Sequence, residues 1–135
     1  MPLEIHALTP GLLGDWLAFF DDVAFADHSE WANCYCTYYH LDAKDEQCVR
    51  EECAARPVRD ILRGRAVDMI EAGALRGYLA YRDGQAVGWC NVNDRRAFHK
   101  LLESPELWED GDAARVKAVT CFLIAPGARR PRRRA

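Results

Sequence analysis

The sequence predicts an α+β fold, and three observations carry that prediction. Residues 77–92 hold two apolar runs joined by Asp83-Gly84. A two-residue Asp-Gly link between such runs is a hairpin signal, because both turn residues need positive φ. Residues 10–72 ahead of it read mainly as helices, and residues 116–125 (VKAVTCFLIA) after it read as a further strand. Helices that precede an antiparallel hairpin, rather than alternating with single strands, place the chain in the α+β or mixed α/β class.

Taken in order, residues 3–8 (LEIHAL) alternate apolar and polar side chains, which is the period of a short strand. Thr9-Pro10 is an N-cap followed by proline at the first helical position. Leu13, Trp16, Leu17 and Phe20 then recur at helical spacing, predicting an amphipathic helix over about residues 10–24. Trp31, Tyr35, Tyr38 and Tyr39 would share one aromatic face if their segment is helical. Residues 45–72 are rich in helix formers, and Pro57 divides them because it lacks an N–H and disfavours helical geometry at Arg56. The second of the two helices is expected to stop near Gly73. Ser104-Pro105 can start a short helix with Leu107 and Trp108, and Asp110-Gly111-Asp112 turns the chain toward the last strand.

The chain has 135 residues, half of them apolar and 29% charged, which suits one domain with a sizeable core. Its formal charge of −3 is unevenly spread. Five of the 18 Lys and Arg residues lie in 129–134, so residues 1–128 carry a balance of −8. An acidic body disfavours a broad nucleic-acid surface. No apolar run approaches the roughly 18–20 residues that span a bilayer. The first ten residues lack a basic stretch followed by an apolar one, so no secretory leader is expected. The six cysteines are then expected to be reduced thiols of a cytoplasmic protein. Residues 1–128 read as the folded domain and 129–135 as an arginine-rich, disordered tail.

Three segments together point to a family: the hairpin GYLAYRDGQAVGWCNV at 77–92, the strand VTCFLIAP at 119–126, and Arg129. With them the chain resembles the GNAT superfamily of N-acetyltransferases. The segment WANCYCTYYH at 31–40 is reminiscent of a bacterial subset of it. The resemblance covers residues 3 to about 129, the N-terminal half to two-thirds of such a domain. It implies direct transfer of acetyl from acetyl-CoA, as co-substrate, to a small-molecule or protein amine. It also implies that backbone groups of Phe122, Leu123 and Ile124 contact the pantetheine arm. Arg129 matches the position that opens the family's pyrophosphate loop, whose two glycine positions fall on Arg132 and Arg134. That departure implies a truncated or frame-altered version of the fold, lacking its C-terminal strands and helices and with weak or no activity.

Direct transfer needs loss of a proton from the amine, donors for the oxyanion and protonation of the departing thiolate. Asp94 is the candidate base, with Asn91 and Asn93 to orient a water or the acceptor. The oxyanion donor is expected to be a backbone N–H near Phe122 or Leu123. Trp31, Tyr35, Tyr38 and His40, with Glu30, are candidates to line or cover the acceptor site, although core packing explains the aromatic rings more simply. Trp89 and Phe122 read as core, and Cys90 and Cys121 as buried thiols. Cys34, Cys36, His40, Cys48 and Cys53 could in principle hold zinc, but their spacing fits no common zinc motif, and no metal is expected. Two rival readings remain: a non-catalytic binding module that uses the aromatic segment, and a zinc-dependent structural or regulatory protein. Without a further strand beside it, the strand at 116–125 would leave an exposed edge, so a homodimer through that edge, or aggregation, is expected.

Overall fold

The computed structural model describes residues 2–28, 32–103 and 116–129. Its element order is β1 (Glu4–Ala7), α1 (Leu13–Ala18), α2 (Ala43–Glu52), α3 (Val58–Glu71), β2 (Gly77–Arg82), β3 (Gln85–Asp94), α4 (His99–Leu102) and β4 (Lys117–Ile124). The four strands form one antiparallel sheet in the order β1-β2-β3-β4. This is the predicted α+β class. No helix among the described residues is long and apolar enough to cross a membrane.

The first helical run is continuous but changes geometry. A 3-10 turn over Pro10–Leu12 leads into α1, and a π-helical turn over Phe19–Val23 follows. The wide turn carries Phe19 and Phe20 into the core and leaves Asp21 on its rim. Asp42 starts α2 with a reciprocal capping box: its carboxylate accepts from Asp45 N–H at 2.7 Å, and Asp45 accepts from Asp42 N–H at 3.2 Å. Pro57 caps α3, and Gly73 at φ 72° follows its end, as the proline and glycine pattern predicts.

The hairpin turns on Asp83 at φ 52° and Gly84 at φ 77°, the two positive angles that the Asp-Gly pair predicts. β3 runs further than its apolar stretch, because Asn91–Asp94 stay paired with β4. Gly77 is a close approach of backbone to ring. A Cβ there would run into the Cys90 carbonyl oxygen and the Trp89 ring.

The helices cover one face of the sheet. Trp16, Phe19, Phe20, Ala66 and Ile70 pack onto Leu79, Tyr81 and Trp89, with Trp16 edge-on to Trp89 at 6.0 Å. Burial of each large side chain is worth about 1.5–3 kcal/mol, so this cluster dominates the driving force. A smaller cluster of Leu41, Val49, Ile61 and Leu62 joins α2 to α3.

Residues 32–37 are turns, so the helical condition for a shared aromatic face is not met there: Tyr35 (φ 47°) and Cys36 (φ 57°) are both left-handed, and a 3-10 turn at Tyr38–His40 follows. Tyr35 is buried, while Tyr38 is 53% exposed. Two expectations are corrected. Phe122 is not core but 69% exposed, since strand alternation sends it to the sheet face that none of the described helices covers. Cys90 and Cys121 are only partly buried. The expected helix with Leu107 and Trp108, and the turn at 110–112, lie outside the described residues.

Candidate functional site

β3 brings Asn91 to the helix-covered face, where it is 1% exposed. Its Nδ2 lies 3.4 Å from the Cys36 carbonyl oxygen and 3.4 Å from His40 Nε2. His40 Nδ1 lies 2.9 Å from the Ala97 carbonyl oxygen, which must receive a proton from it. The ring is therefore the Nδ1–H tautomer, with Nε2 free to accept from Asn91. Burial disfavours the imidazolium and pushes the His40 pKa down, and the ring packs at a tilt against Phe98, centroid to centroid 4.7 Å. Two of the residues singled out from sequence, Asn91 and His40, thus meet across 51 residues of chain. Asn91 Oδ1 and Thr120 Oγ1 are buried without a protein hydrogen bond among the described residues.

The turn at 34–37 closes over this pair. Thr37 Oγ1 donates to the Cys34 carbonyl at 2.7 Å, and Trp89 Nε1 donates to Cys36 Sγ at 3.2 Å. Cys121 stands across from Asn91 in the β3–β4 register and packs against the same core cluster as Cys36. The sequence places these two cysteines in unrelated segments, and nothing local in either signals that they share a core.

Among the described residues β4 is the outer strand of the sheet. Ala125 N–H donates to the Val87 carbonyl at 2.8 Å, which sets the ladder's phase. Alternation then turns the backbone groups of Cys121 and Leu123 toward β3, and those of Phe122 and Ile124 toward the free edge. The amide and carbonyl of Leu123 therefore belong to the ladder rather than to the outer edge. The Ile124 carbonyl accepts from Arg129 Nε at 2.9 Å, which leaves Phe122 N–H, Phe122 C=O and Ile124 N–H facing outward. The register slips by one between Asn91 and Val92, which puts an extra residue, Thr120, into β4. Such bulges re-aim backbone groups and concentrate at sheet edges beside functional sites.

Other expected site residues stand elsewhere. Asp94 caps the turn after β3, and both its oxygens are held by the Arg96 guanidinium at 3.1 and 2.9 Å. Those bonds push its pKa well below the usual carboxylate range, which makes it a weak base. Tyr35 donates its hydroxyl to Asp21 Oδ1 at 2.6 Å, and Arg59 Nε donates to the same hydroxyl at 3.0 Å. Tyr38 lies on the surface, edge-on to Tyr39 and near Lys100. Arg129 is not a loose tail residue, since it also pairs with Asp27 at 2.9 Å. Trp31, Glu30 and residues 130–135 lie outside the described residues. Among the described residues no three Cys, His, Asp or Glu side chains group as a metal site, and Cys48 and Cys53 stand on and just after α2.

The face opposite the described helices holds an apolar hollow of about 370 Å³, lined by Ile5, Tyr78, Ala80, Cys90, Phe122 and Ile124 among others. No protein-family model, curated protein or solved structure matches this chain.

Proposed function

We propose that this chain carries a GNAT-type acyl-CoA-dependent N-acetyltransferase fold that binds acetyl-CoA along the free edge of β4. The reaction class is transfer of acetyl to an amine of a small molecule or protein. The order of elements and the antiparallel hairpin agree with the resemblance read from sequence. One observation carries the reading: the outward amides of Phe122 and Ile124 beside the bulge at Thr120. A pantetheine arm contains two amide groups, so it can pair with a strand edge much as an added peptide strand does.

In this reading Phe122 N–H is the donor for the thioester carbonyl, whose oxygen gains charge as the amine attacks. His40 and Asn91 hold the 34–37 turn against β3 and so form the wall behind the edge. Arg129 meets a pyrophosphate only by giving up part of its pairing with Asp27. Since Arg132 and Arg134 occupy the glycine positions that the resemblance would require, binding rather than turnover is the first test.

That test is calorimetric titration with acetyl-CoA. Saturable micromolar binding is expected, with loss of binding in Phe122→Pro and retention in Phe122→Ala. Proline removes only an N–H that points away from the ladder, a position at which edge strands tolerate it. Equal affinity for both variants, each with a cooperative melt, would sink the proposal.

The second reading, a non-catalytic binding module, is favoured by the apolar hollow on the face opposite the described helices. It expects a fluorescent apolar dye to bind at about 1:1 and Ala80→Trp to fill the hollow and abolish binding, while acetyl-CoA does not compete.

A further inference from the structure

We propose that two copies of this chain stack through the apolar sheet face opposite the described helices, each Phe122 ring seated in the other copy's hollow. The acyl-CoA reading uses the edge of β4 and not this face, so the inference stands without it.

The register makes this face continuous across all four strands. Ile5, Ala80, Gly88 and Ile124 stand opposite one another in one row, and Ala7, Tyr78, Cys90 and Phe122 in the next. Val92 stands opposite Val119 beyond them. Directly opposed residues share a face, and so do residues two apart on a strand, which adds Leu3. Leu3, Ile5, Tyr78, Val119, Phe122 and Ile124 are all exposed. The opposite face carries Leu79 and Trp89 beneath the helices. A strand with water on one side alternates apolar and polar residues, whereas Cys121-Phe122-Leu123-Ile124 is apolar throughout. That is the composition of a strand covered on both faces.

Area, charge and shape each fit a second copy. Four strands about 4.8 Å apart and about six residues long make a footprint of roughly 400 Å². An exposed apolar patch of that size marks an interaction site. Two such faces, with the relief of their side chains, bury roughly 1,000 Å², the lower bound of a specific interface. Among the described residues, charge on this face stands only at its ends: Arg82 at one, and Asp94 opposite Lys117 at the other. An uncharged centre with a charged rim is the anatomy of an interface, and such a centre meets its own copy without like-charge repulsion. The rest of the body is acidic, so repulsion opposes contact between copies elsewhere. Ala80 and Gly88, the small residues of their row, floor the hollow of about 370 Å³, and Phe122 stands exposed beside it. A two-fold contact needs a surface that both gives and receives, and this face carries a projecting ring and a hollow together.

Sedimentation equilibrium of the whole chain across the micromolar range tests the stacking. A monomer–dimer equilibrium is expected. Ile5→Lys and Phe122→Ala should each weaken it at least about tenfold, because both side chains are exposed and contribute to the face rather than to the core. Pairing through the β4 edge would survive both changes, since Ile5 lies on β1 at the other side of the sheet and Phe122→Ala keeps the backbone of β4. A second readout uses the unmodified sequence. Cys90 lies within the face on the inner strand β3, so its alkylation, followed by peptide mapping, should slow as dimer forms, while that of exposed Cys34 should not. A dimer paired through the β4 edge leaves Cys90 as open as in the monomer. A monomer at every concentration, a dimer of unchanged affinity in either variant, or alkylation of Cys90 that does not depend on concentration would overturn the proposal. If a variant loses its cooperative melt, the Cys90 readout decides alone.

Discussion

Trp89 donates its indole N–H to the sulfur of Cys36 at 3.2 Å, across 53 residues of chain. The bond ties the turn at 34–37 to the central strand β3. It also explains how two consecutive left-handed residues, Tyr35 and Cys36, are held there: the surrounding contacts over-determine a backbone that L-residues otherwise avoid.

Trp89→Phe removes that donor and leaves space in the core beside Trp16. The expected loss is about 1–3 kcal/mol, combining an unmade hydrogen bond with a partial cavity. Urea unfolding followed by far-ultraviolet circular dichroism measures it; a change under about 0.5 kcal/mol would show that the contact does not hold the turn.

Asp21 sits on the π-helical turn and accepts from Arg63 at 3.0 and 2.8 Å and from the Tyr35 hydroxyl. The Arg63 hydrogen bonds, first among the causes, push its pKa below 3.8. The unfolded chain therefore binds this proton at higher pH than the folded chain does. The stabilisation is fully present above the unfolded value and is lost as pH falls through the folded one. Asp21→Asn should cost about 1–2 kcal/mol near neutral pH and flatten the decline in stability below about pH 4. Unchanged acid denaturation in the variant would refute this.

His40 gives a second pH window. Burial lowers its folded pKa from the ordinary 6.5, so an unfolded chain takes up the proton first as pH falls. Stability is then present above about pH 6.5 and declines below it toward the folded value. Thermal melts at intervals from pH 7.5 to 5 should show this decline, and His40→Gln should remove most of it. A decline of the same slope in the variant would assign it to other groups.

Phe122 tests the open edge. Its ring is exposed and its backbone faces outward, so the chain should associate with a second copy through β4 as concentration rises. Phe122→Lys should leave stability within about 0.5 kcal/mol and shift sedimentation toward monomer, because a charge on an edge strand opposes pairing. A monomeric unmodified chain at high concentration would show that the edge does not pair.

Local signals in the sequence decided the elements. Asp83-Gly84 fixed the hairpin, Pro57 and Gly73 bounded α3, and the spacing of Trp16 and Phe20 marked the first helical run. Each is a constraint on a few neighbouring residues, and backbone sterics or period alone makes it legible. Only the tertiary structure decided which sheet face is covered, and hence that Phe122 is exposed while Trp89 is buried. Both residues look alike in an apolar strand, since alternation gives two faces but does not say which one the helices take. The same holds for the site. Asn91 and His40 were nameable as polar residues near the strands, but their contact depends on a left-handed turn that no glycine announces. Cys36 and Cys121 share one core cluster only because the 34–37 turn packs onto the sheet, a long-range arrangement that no short stretch of sequence encodes.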